Sequence, residues 1–240
     1  MFNRLSTNAM LRSRRFADDV EISYSEKPKE SFSTFDLSKI QDNCVIGIVG
    51  RRNSGKSTLV KDIITSRFKD ITQGIVCSGS EKSNPFFRRF MAPTFAFSQK
   101  INEDHLTAFI QMAKDAPGEK KLIVIDDCAF DSAQRKSPAL KEIVLNGRHL
   151  NITVILVAQS CVDLGSPSVR SNTDIVFMTR ENLLPALEQA YKLFFSVFPT
   201  FRQFRELCEE TKRTPYKCLV CDMSSFGTIH DMVKTYKAKL

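Results

Sequence analysis

The sequence predicts an α/β protein whose mostly parallel central sheet is flanked by helices on both faces. One observation is that short segments such as Val45–Val49 (VIGIV) and Ile152–Ala158 (ITVILVA) are apolar almost without interruption, as strands are when both of their sides are buried. Another is that segments with apolar residues at helical spacing separate these strands along the chain. This alternation is typical of a sheet covered by helices on both sides.

The first half of the chain alternates between the two patterns. In the segment 103–116, for example, Leu106, Phe109, Ile110 and Ala113 recur at helical spacing. The stretch 86–97 fits neither pattern, and we interpret its phenylalanines as core or subunit interface, with DNA contact by Arg88–Arg89 as the alternative. In chain order, the elements predicted here are a strand at 45–49, a helix at 56–68, a strand at 74–77, a helix at 103–116 and a strand at 121–125.

The second half continues the alternation and ends in strands. Its elements are a helix at 138–145, strands at 152–158 and 175–178, helices at 183–197 and 201–210, and late strands at 217–222 and 232–237. Residues 41–240 contain no Pro-rich or Gly-rich linker, so we expect one domain there. Residues 1–40 are interpreted as a partly ordered N-terminal arm that contacts a neighbouring subunit or DNA. A frayed terminus is the alternative.

Composition excludes several classes of protein. With 26% charged and 42% hydrophobic residues, the chain is neither disordered nor collagen-like, and its apolar runs are too short for a membrane span. The early arginines lead into Asp18–Asp19 and not into an apolar stretch, so no signal peptide is expected. The net charge of +8 suggests a polyanionic partner but also fits simple solubility.

The cysteines indicate a reducing compartment. Their number, seven, is odd, and several lie inside apolar runs, where a free thiol behaves as a small hydrophobe. Cys218 and Cys221 have the spacing of a zinc motif. On a strand, however, residues three apart point to opposite faces, which disfavours one tetrahedral site.

A phosphate-binding loop is the most specific motif in the sequence. Residues 50–57 read GRRNSGKS and match G-x-x-x-x-G-K-[ST], directly after the strand VIGIV and at the start of a helix. Lys56 is predicted to reach the β- and γ-phosphates of ATP, and the Ser57 hydroxyl to bind Mg²⁺. A turn that only joins strand to helix is the alternative. The residues predicted to bind nucleotide are Gly50, Arg51, Arg52, Asn53, Ser54, Gly55, Lys56, Ser57 and Thr58.

Two further motifs follow buried strands. Asp126 and Asp127 end the strand LIVI, which is the pattern of a Walker B element: Asp126 would hold Mg²⁺ and Asp127 would act as general base. A solvated strand end or a helix N-cap is the alternative interpretation. Gln159 follows strand 152–158 and is predicted to sense the γ-phosphate or orient the attacking water, with loop capping as the alternative. The guanine-reading N-K-x-D motif that a GTPase needs is missing from the sequence.

Two arginines are candidates for an arginine finger. Arg148 precedes the strand at 152–158 and Arg170 precedes the strand at 175–178. Either could complete the active site of a neighbouring subunit by meeting its γ-phosphate. Arg148 is preferred, because we expect it near the catalytic edge of the sheet. A surface or phosphate-contact role is the alternative for both.

Together these motifs resemble the FtsK–HerA superfamily of DNA-pumping ATPases, and more closely the packaging ATPases of poxviruses, their nucleocytoplasmic relatives and virophages. One departure from the wider superfamily is Asp127, where many relatives have Glu. The matching segments are IVGRRNSGKSTL at 48–59, LIVIDDCAFD at 122–131, LNGRHLNITVILVAQS at 145–160, VRSNTDIVFM at 169–178 and TKRTPYKCLVCD at 211–222.

The resemblance implies an ATPase with a RecA-like core that threads double-stranded DNA, independent of its sequence, into a preformed capsid. It further implies a homo-oligomeric ring, with five or six subunits expected, together with capsid or portal-vertex partners and a place in the host cytoplasm, the viral factory or the virion. The alternatives are another pump of this superfamily, used in conjugation or segregation, and a nucleotide-gated DNA-binding assembly factor with little turnover. No appended DNA-reading domain or membrane anchor is expected.

Overall fold

The computed structural model describes residues 31–128 and 137–240, and within them eight strands form one sheet. Every strand expected from the sequence is found, and β3 is added from the stretch that fitted no pattern. The strands are β1 (Val45–Val49), β2 (Gln73–Ser78), β3 (Ala96–Ser98), β4 (Lys121–Asp126), β5 (Ile152–Ala158), β6 (Ile175–Met178), β7 (Lys217–Asp222) and β8 (Val233–Lys237).

Helices connect most of these strands. They are α1 (Lys56–Arg67), α2 (Glu103–Asp115), α3 (Pro138–Asn146), α4 (Pro167–Ser171), α5 (Leu184–Phe194), α6 (Phe201–Thr211) and α7 (Ile229–Met232). None of the helices in the described residues is both long enough and apolar enough to cross a membrane.

The strand order across the sheet is β3-β2-β4-β5-β1-β6-β7-β8. The first six strands in this order are parallel, whereas β7 and β8 run antiparallel to their neighbours. In register, Val49 at the end of β1 lies beside Ala158 at the end of β5, and Asp126 lies beside Val157. The carboxyl ends of β4, β5 and β1 therefore meet along one edge of the sheet, with β5 in the middle.

Two buried clusters cover the two faces of the sheet. Alternate residues of β1 divide between them: Ile46 and Ile48 pack with α1, whereas Val45 and Val49 pack with α2, α3, α5 and α6. Central strands such as β1 and β6 are apolar throughout because both of their sides are buried. The predicted fold class is confirmed.

The structure corrects the end of one predicted helix and assigns the stretch 86–97, which fitted no pattern. The helix expected over 183–197 ends at Phe194, because the chain turns there and buries Phe195 and Phe198, whose rings contact Phe204. In the stretch 86–97, a 3-10 turn over Phe87–Arg89 leads to β3. Phe87 is 1% exposed, so this part of the stretch belongs to the core as predicted.

The segment just before β1 packs against the sheet. Phe35 is buried, and its backbone N–H donates to the carbonyl of Thr235 in β8 at 2.8 Å. Most of the predicted arm, residues 1–30, lies outside the described residues.

All seven cysteines are free and buried. Cys218 and Cys221 lie on opposite faces of β7, one in each buried cluster, which is the geometry that disfavours a zinc site. Within the described residues no group of three or more metal-ligating side chains is found.

Candidate active site

The loop between β1 and α1 is held in a tight curl by glycine and by hydroxyl groups. A β-carbon at Gly50 would collide with the side chain of Thr179, and Gly55 has a φ of 96°, which favours glycine. The Ser54 hydroxyl donates to the Arg51 carbonyl at 2.6 Å and lies 2.6 Å from the Thr179 hydroxyl. The first residue after β6 therefore braces the loop from the side, a role that the sequence did not reveal.

Lys56 points back into this loop. Its Nζ donates to the carbonyl oxygens of Gly50 and Arg51 at 2.5 and 2.9 Å. Burial lowers the pKa of Lys56, while the negative charges of Asp127 and Asp126 act in the opposite direction. The ammonium group is thus half-buried, inside the loop and within electrostatic reach of both carboxylates.

The two acidic residues end β4, one in the strand and one beyond it. Asp126 accepts a hydrogen bond from the Ser78 hydroxyl of β2 at 3.2 Å. Burial raises the pKa of Asp126 to about 6; the Ser78 hydrogen bond and the Lys56 charge lower it, and the neighbouring charge of Asp127 raises it further. Asp127 has a φ of 53°, a left-handed conformation that aspartate tolerates better than most residues.

The side chain of Gln159 is hydrogen-bonded to the carboxylate of Asp127. Its Nε2 donates to the two carboxylate oxygens of Asp127, at 3.1 and 2.9 Å. This contact forms because β5, whose end is followed by Gln159, pairs directly with β4. The structure therefore places Lys56, Asp126, Asp127 and Gln159 together at one sheet edge, with the amide fixing the orientation of the outer carboxylate.

The residues predicted to bind Mg²⁺ have suitable chemistry. Ser57 offers a hydroxyl in the first turn of α1, and Asp126 offers a carboxylate whose ionised form is disfavoured by burial. Magnesium prefers such oxygen ligands, and a cation beside Asp126 would favour the charged form. The donor set therefore fits the metal.

Arg148 does not lie near the catalytic edge, so its expected position is wrong. It precedes β5 and therefore lies at the amino ends of the parallel strands, opposite the loop. There its guanidinium pairs with Asp174 at 3.1 Å, and the other oxygen of Asp174 accepts from the N–H of Val45. The sequence shows that Arg148 precedes β5. That this position lies at the edge opposite the phosphate loop follows only from the parallel pairing of β5 with β1.

Arg170 closes a turn within its own subunit. Its Nη1 donates to the carbonyl oxygens of Gly165 and Val162 at 2.5 and 3.4 Å, in the segment that follows β5. Arg51 and Arg52, by contrast, are exposed on the loop. Whether Arg148 or Arg170 acts on a neighbouring subunit stays a prediction.

Tyr216 is a site neighbour that sequence reasoning missed. It lies in the turn before β7, and a β-carbon at Gly55 would be only 3.2 Å from its Cδ1. Because β7 is antiparallel, the residues before it reach the same edge as the loop. The apolar pattern of the late strand was visible in the sequence, but its direction was not.

Comparison with known proteins identifies viral relatives. No protein-family model matches the chain. Uncharacterized protein 015R of Frog virus 3 (isolate Goorha) is 33% identical over 197 residues, which cover 80% of this chain and 60% of that protein. This chain thus spans less than two thirds of that relative. Uncharacterized protein 075L of Invertebrate iridescent virus 6 is 30% identical over 182 residues, covering 74% of this chain and 67% of the relative.

Solved structures share the fold. The genome-packaging NTPase B204 from Sulfolobus turreted icosahedral virus 2, in complex with AMPPCP, has a TM-score of 0.59 and 21% identity, covering 82% of this chain and 99% of that one. The pCW3 conjugation coupling protein TcpA has a TM-score of 0.57 and 11% identity, covering 85% and 61%. The fold that the sequence predicted is therefore shared with these solved structures. The chain belongs to the family of the iridescent virus protein 075L.

Proposed function

We propose that this member of the 075L family hydrolyses ATP and uses the energy to move double-stranded DNA into a viral capsid. The observation that carries the proposal is the meeting of Lys56, Asp126, Asp127 and Gln159 at the carboxyl ends of β1, β4 and β5. A lysine in a phosphate loop beside two carboxylates is the constellation of ATP hydrolysis. The packaging role is supported by the shared fold of B204, which is described as a genome-packaging NTPase.

Each residue has a distinct role in the proposed hydrolysis. The N–H groups of the loop and the amino end of α1 attract the phosphates, and Lys56 exchanges its carbonyl partners for phosphate oxygens. Asp127 accepts the proton of the attacking water, and Gln159 holds the carboxylate in the orientation for that transfer.

Ser57 and Asp126 would hold Mg²⁺, which when bound neutralises charge on the phosphates. Burial disfavours the charged form of Asp126, as its raised pKa of about 6 indicates, and a nearby cation would offset that cost. The two aspartates thus have different roles: Asp126 would bind the metal ion, and Asp127 accepts the proton of the attacking water.

The proposed polymer is duplex DNA held by its phosphates. A motor must grip every stretch that it pulls, so its contacts go to the backbone and not to base edges. The net charge of +8 supports such binding. We further propose a ring of five or six copies that acts at the capsid in the host cytoplasm or viral factory.

The test measures phosphate release from ATP with and without a long random-sequence duplex, at low and moderate salt. We expect stimulation by DNA and a DNA affinity that falls by orders of magnitude as salt rises. Lys56→Ala should abolish turnover, whereas Lys61→Ala, an exposed lysine on the same helix, should not. Wild-type turnover in Lys56→Ala would contradict the proposed site. Tight ATP and DNA binding with almost no turnover would favour an assembly factor.

A further inference from the structure

We infer that the ring of Tyr216 is the platform on which the base of the nucleotide stacks, so that the site accepts purine nucleoside triphosphates without strict choice between adenine and guanine. This inference rests on the proposed nucleotide site and concerns how the base is recognised, which the loop motif does not specify. The loop recognises phosphates alone, so another element must hold the nucleoside.

The order of strands fixes the direction in which the nucleotide lies. Hydrolysis occurs at the γ-phosphate, so this end of ATP must face Asp127 and Gln159, which follow β4 and β5. The phosphate loop follows β1, the next strand in the sheet. The nucleoside must therefore emerge on the other side of the loop, where β6 and β7 meet the same edge.

Tyr216 lies on that side and contacts the loop. Its ring packs on Gly55, the residue before Lys56, where a β-carbon would be 3.2 Å from Cδ1 and 3.8 Å from Cε1. The residue is nevertheless 41% exposed, so much of the ring is open to solvent. A flat aromatic side chain with one part on the phosphate loop and the rest exposed is suited to stacking on a base.

Hydrogen bonds hold the backbone of Tyr216 in place. Tyr216 has a φ of 60°, and its carbonyl accepts a hydrogen bond from the N–H of Ala238 at 3.0 Å. The N–H of Lys217 donates to the carbonyl of Thr214 at 3.3 Å, which closes the turn. The backbone is thus fixed before any ligand binds, and little conformational freedom is lost on binding.

Among the strongly exposed aromatic residues that the structure describes, Tyr216 alone lies at the loop edge. The other, Phe226, is 93% exposed but follows β7, whose end lies beside the start of β6 at the opposite edge. Stacking reads the face of a base and not its hydrogen-bonding edge. The inference therefore predicts similar affinity for ATP and GTP, and weaker binding of the smaller pyrimidines.

The experiment compares a nucleotide with the same phosphates without a nucleoside. Binding of AMPPCP and of inorganic tripolyphosphate is measured by calorimetry with Mg²⁺ present, using the full chain. Tyr216→Ala should weaken AMPPCP binding by about tenfold or more and leave tripolyphosphate unchanged, because base stacking alone is lost. Tyr216→Phe should bind like the wild type, and Phe226→Ala is the matched control.

A second variant gives a direct signal. The chain contains no tryptophan, so Tyr216→Trp introduces a single fluorophore at the platform. Its emission should change on adding AMPPCP and stay constant on adding tripolyphosphate. This readout does not depend on how well Tyr216→Ala folds.

The outcomes separate the two proposals. If the wild type binds neither probe, the nucleotide site itself is wrong. If the wild type binds AMPPCP but Tyr216→Ala binds it equally well, the platform is refuted while the ATPase proposal stands. Equal weakening of both probes would make Tyr216 a support for the loop and would likewise refute the platform.

Discussion

Replacing Asp126 by asparagine should make the ligand-free protein more stable, even though it removes a proposed magnesium ligand. The carboxylate of Asp126 is mostly buried beside Asp127, and the hydroxyl of Ser78 and the charge of Lys56 compensate only in part. Asparagine has the same shape and keeps an oxygen that can accept the Ser78 hydrogen bond. It carries no charge to bury.

The size of the effect follows from the pKa. The carboxyl group ionises near its ordinary value of 3.8 in the unfolded chain and at about 6 in the folded protein. Above pH 6, where both states are ionised, this difference costs the folded state about 3 kcal/mol as an upper bound. Below the unfolded value both states are protonated and the cost disappears. The wild type should therefore lose stability relative to Asp126→Asn as the pH rises from 3.8 through about 6.

The assay is urea unfolding of both proteins with EDTA, at about pH 8 and about pH 4. We expect Asp126→Asn to be more stable by up to about 3 kcal/mol at the higher pH and by less than about 1 kcal/mol at the lower pH. Added Mg²⁺ should narrow the gap by stabilising the wild type alone. Asp70→Asn, at an exposed carboxylate, should show neither effect.

Two results would refute this reasoning. If Asp126→Asn is no more stable than the wild type at about pH 8, the carboxylate is not held in an environment that disfavours its charge. If it is more stable by the same amount at both pH values, the gain comes from something other than charge burial.

Three further predictions test other parts of the site. Asp127→Asn should bind ATP almost normally but hydrolyse it roughly 10²–10⁴ times more slowly in phosphate-release assays, and Gln159→Ala should show a smaller loss in the same direction. Mixing Lys56→Ala with Arg148→Ala, or with Arg170→Ala, should restore ATPase activity if that arginine acts on a neighbouring subunit. If rings shown to contain both variants recover no activity in either mixture, neither arginine acts in this way. The thiols should resist alkylation at about pH 8 until the protein is unfolded, because burial raises the pKa of residues such as Cys77 and Cys128 to about 12, and labelling of the native protein would contradict this.

The sequence predicted those parts of the site that depend on local geometry. The loop 50–57 carries its own glycines and its own helix start, so its curl follows from a short motif. The strands could be located because burial on both sides leaves a continuous apolar run. Even the meeting of Asp127 and Gln159 is consistent with the sequence, since each is the first residue after a buried strand.

The parts that the sequence did not predict depend on long-range order. Thr179 braces the loop because β6 pairs with β1, and Tyr216 reaches it because β7 is antiparallel. The end of α5 at Phe194 depends on the burial of Phe195 and Phe198 against another helix. Pairing partners and strand directions of this kind leave no local pattern in a single chain.

The corrected position of Arg148 makes the mixing experiment easier to interpret. Arg148 and Gln159 flank β5, which is seven residues long and runs straight through the sheet. Six steps of about 3.3 Å place the two ends of this strand about 20 Å apart, well beyond the reach of an arginine side chain. Arg148 therefore cannot meet the γ-phosphate in its own subunit. If Arg148 instead acts on the site of a neighbouring subunit, Arg148→Ala should lower turnover and Lys56→Ala should complement it in a mixed ring. A loss of turnover that mixing does not rescue would instead point to the Asp174 pair and to its support of β1.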